Sequence, residues 1–207
     1  MELLSIIEEV ARKIAPGRAP SFTEAHVIRA LETIDTRKIV GRMRLSRELE
    51  LGEGAVRTLV KHLKREKLVE ISRQGITLSE PGEELFLRLR RHISEGVEIP
   101  QSPLTTGSRN VAVLVRDKGH VVQYGLEQRD AAIRAGASGA TTLVFSQNEL
   151  SIPGVKEDVL KGASSVCDIL ISNLNPQEND VIIIGSADDR RTAEFGAIVS
   201  ALKLLKQ

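Results

Sequence analysis

The stretch GRMRLSRELELGEGAVRTLVKHLKREKLVEISRQGITLSEPG, residues 41–82, decides how this chain is read. Val56, Leu59, Val60 and Leu63 recur at i, i+3, i+4 and i+7, the spacing of a buried stripe, which predicts a helix from about Glu53 to Glu66. The opposite face carries Gly54, Arg57, Thr58, Lys61 and Arg65. Upstream, Leu45 to Gly52 reads as a short helix closed by a glycine turn. Downstream, Leu68–Ser72 and Ile76–Leu78 are β-rich runs around Arg73-Gln74-Gly75, a hairpin signal. Ser79-Glu80-Pro81-Gly82 then opens a helix to about His92.

Upstream of this segment, Ser21-Phe22-Thr23-Glu24 has the S-x-x-E form of a capping box. Behind it Ala25, Val27, Ile28, Leu31 and Ile34 supply an apolar face, and Lys38–Gly41 reads as extended. Residues 2–15 form an amphipathic pattern with Leu3, Ile7, Val10 and Ile14 as a heptad-like seam, stopped by Pro16-Gly17-Arg18-Ala19-Pro20. Two heptads leave both uses open, packing on the chain's own domain or contacting a second copy. The order helix, helix, helix, hairpin, helix is that of a winged helix.

Charge distribution gives this unit a direction. Net charge is only +1, but residues 36–73 hold eleven Lys and Arg against five Asp and Glu. A nucleic-acid face needs such a concentration. A helix in the major groove offers its first turns to base edges, here Glu53, Gly54, Arg57 and Thr58. Gly54 lets the backbone come close, Arg57 suits a guanine edge or a phosphate, and Lys61 and Arg65 continue toward the backbone. Arg42, Arg44, Ser46 and Arg47 lie on the preceding helix, which crosses the phosphates, and Arg73 and Gln74 sit at the wing tip. Aromatics make up 2% of the chain, which weighs against stacking platforms for single strands.

The same 41–82 segment resembles winged-helix transcriptional regulators of bacteria and archaea. The matching features are L-S-R-E-L, G-E-G-A-V-R-T-L-V and I-T-L-S-E-P-G. The whole chain resembles archaeal proteins that join such a domain to an uncharacterised C-terminal domain. That resemblance implies duplex-DNA binding and supplies no ligand.

Residues 96–109, GVEIPQSPLTTGSR, with two prolines and two glycines, read as a linker between a domain at 1–95 and another at 110–207. In the second domain Val111–Val115 and Val121–Tyr124 read as a hairpin about Asp117-Lys118-Gly119, and Glu127–Ala137 as a helix. Thr141–Phe145 reads as a strand, Val155–Gly162 as helical, and Val166–Ser172 as strand or buried helix. Val181–Ile184 is a buried strand and Asp188–Lys206 a final helix. The expected fold class is α+β, a winged helix-turn-helix followed by a two-layer α/β sandwich with helices on one face of a mostly antiparallel sheet.

The second domain carries no catalytic signature. G-x-S-x-G and the Walker lysine are missing, the four histidines lack ligand spacing, and Cys167 is a lone thiol. An enzyme is not expected, nor a cofactor or metal. Two helix starts are candidate effector contacts, Gln128-Arg129-Asp130 and the segment holding Ser186, Asp188 and Arg190. The acidic residues there also suit plain capping. The N-terminus carries Glu2, Glu8 and Glu9 among its apolar residues, so neither a leader nor a membrane segment is expected. The sequence thus predicts a cytoplasmic DNA-binding regulator partnered by double-stranded DNA, with the second domain either sensing a small-molecule effector or joining a second copy as a homodimer. Two alternatives stay open: a winged-helix protein-interaction adaptor without sequence-specific DNA binding, and a small-metabolite enzyme with an accessory winged helix.

Overall fold

The computed structural model describes residues 2–12, 20–155 and 158–207, and divides them into two compact units, Met1–Leu89 and Arg90–Gln207. In the first unit, helices α1 (Glu2–Ala11), α2 (Glu24–Arg37), α3 (Arg42–Leu49) and α4 (Glu53–Arg65) precede strands β1 (Val69–Ile71) and β2 (Ile76–Leu78) and helix α5 (Glu80–Arg90). The stripe read from the sequence is the core of this unit. Val56, Leu59, Val60 and Leu63 are buried, together with Ala25, Val27, Ile28, Leu31 and Ile34 of α2. β1 and β2 pair antiparallel, and Val40 bridges to Ile76 as a third short edge. Gly75 is at φ +149°, where a Cβ would lie 2.8 Å from Ile39 Cγ2 and 2.9 Å from the Val40 carbonyl, so the wing closes only on glycine.

Two sequence expectations shift here. The cap of α2 is Thr23, not Ser21, because His26 at the third helical position accepts a hydrogen bond from the Thr23 backbone N–H at 3.0 Å. The seam of α1 is used internally: Leu3, Ile7 and Val10 are buried, with α1 packed on α2 and α4. His62 of α4 meets the Val10 carbonyl through Nδ1 at 2.8 Å, and Phe22 sits edge-on against the same ring. Burial of three apolar side chains contributes several kcal/mol, which favours packing within the chain over contact with a copy through this seam. Ile14 and the Pro16–Ala19 stop fall outside the described residues.

The second unit is built on a five-stranded sheet of β3 (Val97–Ile99), β4 (Arg109–Val115), β5 (Gly139–Ser146), β6 (Glu149–Ser151) and β7 (Val181–Ala187), in the order β3-β4-β7-β5-β6. Every pairing is antiparallel. β7 is buried along its whole length, as its run of apolar residues requires of a central strand. Helices α6 (Leu126–Arg134) and α9 (Arg190–Leu205) cover one face. Gly185 of β7 allows this, since a Cβ there would lie 2.1 Å from the Ala193 carbonyl oxygen of α9.

The class is α+β with an antiparallel sheet, as expected, but three details differ. Helices cover both faces, not one. α7 (Asp158–Lys161) and α8 (Ser164–Leu174) add a layer in which Val166, Leu170 and Leu174 join Ala112, Leu114, Ile182 and Ile184. Strands whose inward and outward residues are both apolar need cover on both sides. Val166–Ser172 is therefore helix. Second, residues 96–109 are not a free linker. Val97–Ile99 is an edge strand of the sheet, and Leu104 is 2% exposed within the core. Prolines and glycines here shape a folded-back loop, with Thr106 N–H donating to Ser186 Oγ at 3.2 Å. Third, residues 121–124 do not pair with β4. A 3-10 turn occupies Gly119–Val121, and β4 pairs with β7 over seven residues, a longer apolar match than the local run offers.

Candidate nucleic-acid interface

The geometry of the first unit follows from two short locks. Ser46 Oγ donates to the Leu51 carbonyl at 2.5 Å, holding the turn between α3 and α4. Glu50 takes a left-handed conformation at φ 54°, which ends α3 and redirects the chain into Gly52, the cap of α4. No side chain caps α4, so its first N–H groups point outward. A helix N-terminus in this state attracts anions.

The structure brings most of the expected residues to the surface of the first unit. Arg42, Arg44 and Arg47 on α3, Glu53, Gly54, Arg57, Lys61 and Arg65 on α4, and Arg73 and Gln74 at the wing are all exposed. Ser46 and Thr58 are half-buried and engaged locally, Ser46 with Leu51 and Thr58 with the Gly54 carbonyl at 3.0 Å. They shape the surface before they touch anything outside it. Gly54 opens on empty space, since no atom lies within 4 Å of a Cβ built there. The fold itself does not demand glycine at that position.

The cations differ in how committed they are. Among the described residues, the side chains of Arg42, Arg57, Lys61 and Arg73 have no intramolecular hydrogen bond or ion pair. Arg65 is held by Glu9 at 3.2 Å and Glu66 at 2.8 Å, and Arg44 lies 3.9 Å from Glu48. The free cations are those available for phosphate without breaking an existing pair. Lys64, exposed and also free among the described residues, was not in the expected set. Its spacing of three from Lys61 and seven from Arg57 puts it on the same helix face, a signal the sequence contained.

The second unit does not gather its expected effector residues. Gln128 is buried. Its carbonyl accepts from Ser200 Oγ at 2.7 Å, and its side-chain amide faces Gln207 of the chain's last turn at 3.5 Å. Arg129 and Asp130 pair with each other at 3.2 Å on the exposed side of α6. Ser186 is fully buried as acceptor for the Thr106 N–H, and Asp188 is exposed. Arg190 is taken by Glu98 at 3.6 Å and Glu194 at 3.8 Å. The cap of α9 is Asp189, whose Oδ1 accepts from the Thr192 N–H at 3.0 Å. Hydrogen bonds from Thr192 hold this carboxyl below the ordinary range. Gln128 thus meets the C-terminal half of α9 and the other group sits at its start. Of the six residues, only Gln128 lines a described cavity, a hollow of about 270 Å³ at the start of α6 with Gln123, Tyr124 and Gln207.

Fold and surface together define a winged-helix DNA-binding domain followed by an antiparallel α+β domain. Residues 26–93 match the CggR N-terminal DNA binding domain, and residues 106–204 match a Domain of unknown function (DUF4443). Among solved structures, a hypothetical protein from Pyrococcus horikoshii OT3 is similar at 26% identity, over 90% of this chain and 94% of that one, with a TM-score of 0.73. No curated protein matches. The chain therefore carries a DNA-binding regulator domain at its N-terminus, joined to a domain whose role these matches leave unassigned. No described helix is long and apolar enough to cross a membrane.

Proposed function

We propose that this chain is a sequence-reading transcriptional regulator that binds duplex DNA through α4 and works as a two-fold dimer in the cytoplasm. The observation that carries the reading is the exposed α4 face, where Gly54, Arg57 and Lys61 lie open and uncommitted beside a helix start that no side chain caps. Glu53, Thr58 and Arg57 face base edges, and Arg42, Arg47, Lys61 and the wing residues Arg73 and Gln74 hold the backbone. A dimer places two recognition helices about one helical turn apart on a near-palindromic site. The second domain acts by binding, not by catalysis. It joins the two copies or takes up a small molecule that shifts the population of DNA-competent arrangements.

The test is a duplex titration of the intact chain at several salt concentrations, with Arg57→Ala and Lys61→Ala beside it, followed by selection from a random duplex pool. A steep fall of affinity with salt, weakened in both variants, and a consensus from the pool support the reading. Undetectable binding at low salt overturns it. Uniform recovery of the pool overturns base reading and leaves an adaptor of DNA without sequence preference.

A further inference from the structure

Helix α6 has two faces, and only one is accounted for. Gln128 and Ala132 are buried on the side turned to α9 and β5. Half a turn away, Leu126 is 51% exposed and Ile133 is 49% exposed, with the Arg129 and Asp130 ion pair between them. At 3.6 residues per turn these four residues share one stripe. Tyr124, 65% exposed just before the helix, extends the apolar patch.

The stripe is self-complementary. Reading L-x-x-R-D-x-x-I from either end gives apolar, charge, opposite charge, apolar, with its centre between Arg129 and Asp130. Two such helices related by a two-fold axis through that centre run antiparallel. Leu126 of one then meets Ile133 of the other, and Arg129 meets Asp130 twice over. An isologous contact requires a surface of this kind, in which each residue finds its complement on an identical copy. A heterologous partner would not need the pattern to read the same in both directions.

We infer that the exposed face of α6 is where two copies of this chain pair, an inference that rests on reading the protein as a two-fold regulator. The apolar ends supply the attraction, and the crossed charges set the register and reject like-charged alignments. One short helix and Tyr124 fall well below the ~800 Å² per partner of a standard interface. The pairing is therefore weak in free solution and tightens when both winged helices sit on one duplex, where the second contact becomes intramolecular.

The experiment is sedimentation velocity of the full chain at rising concentration, with Arg129→Asp, Asp130→Arg, their equimolar mixture and the double swap R129D/D130R. Leu126 and Arg129 are exposed and Asp130 is half-buried with its side chain 47% exposed, so unfolding midpoints of all variants are compared with wild type and the double swap controls for a folding defect. Wild type self-associates. Each single reversal puts like charges opposite each other and weakens self-association about tenfold or more. The mixture recovers it, because an Asp-Asp stripe meets an Arg-Arg stripe, and so does the double swap. Leu126→Asn lowers association in every background. A wild type that stays monomeric throughout, reversals without effect, or a mixture that fails to recover would each overturn the inference. Low-salt binding of each variant to a random-sequence duplex is measured alongside. Undetectable duplex binding by wild type strikes the DNA reading and leaves the pairing result standing.

Discussion

Acid should loosen the DNA-binding domain through one residue, His26. Its Nδ1 accepts the Thr23 N–H at 3.0 Å and lies 3.0 Å from the Thr23 hydroxyl, at the first turn of α2. Burial, with the Arg29 charge adding to it, lowers its pKa from 6.5 to about 4. The folded state therefore resists a proton that the unfolded chain accepts. Between pH 6.5 and 4 the unfolded state binds more protons, so stability is full above 6.5 and falls as pH drops through that window. A shift of this size has a ceiling of about 3 kcal/mol, and partial solvation of the ring reduces it to about 1–2 kcal/mol. At pH 5 the expected loss is about 1 kcal/mol relative to pH 7, a shift of several degrees in the melting of the first unit. The assay is urea or thermal unfolding of wild type and His26→Gln at the two pH values. Glutamine keeps an acceptor at the third helical position without titrating. The variant should lose this part of the pH slope, and other groups cancel in the difference. An identical slope in both proteins refutes the reasoning.

Gly54→Ala should raise thermal stability by up to about 1 kcal/mol, since the site is open and alanine is the better helix former, yet weaken duplex binding if the backbone approaches DNA there. Unchanged affinity in a titration would remove Gly54 from the interface. Lys61→Ala should flatten the plot of log affinity against log salt by about 1, whereas Arg65→Ala, already paired with Glu9 and Glu66, should flatten it clearly less. Equal changes would mean that the intramolecular pairs yield to phosphate. Asp180 accepts from Arg116 at 2.5 Å, the Asp117 N–H at 2.9 Å and the Gln177 N–H at 2.8 Å while buried. Asp180→Ala strands those donors and should cost the second unit about 2–3 kcal/mol in denaturant unfolding, with the first unit's transition unmoved.

The first domain was legible because its helices are short-range patterns. Val56, Leu59, Val60 and Leu63 announce a buried stripe wherever they occur, and the free face opposite them follows by subtraction. The cap of α2 lies two residues beyond the sequence reading because Ser21-x-x-Glu24 carries the ordinary S-x-x-E signature, whereas in the structure His26, not a Glu or Gln, accepts from the Thr23 N–H. In the second domain local runs misled. Val121–Tyr124 has strand composition, but β7 offers β4 a seven-residue partner from far along the chain. The proline-containing stretch after residue 95 looked like a boundary, because composition cannot reveal that Leu104 and Val97–Ile99 complete a sheet.

The winged-helix order, the basic bias of residues 36–73 and the α+β class are all legible in the residue pattern. Each depends on residues near one another in the chain, where periodicity and charge act directly. Tertiary structure alone decided which cations are free, that both sheet faces are covered, and that the two candidate effector segments lie at different parts of α9. Those facts rest on contacts between residues distant in sequence, such as Arg65 with Glu9 and Gln128 with Ser200, and no local pattern encodes a partner fifty or seventy residues away.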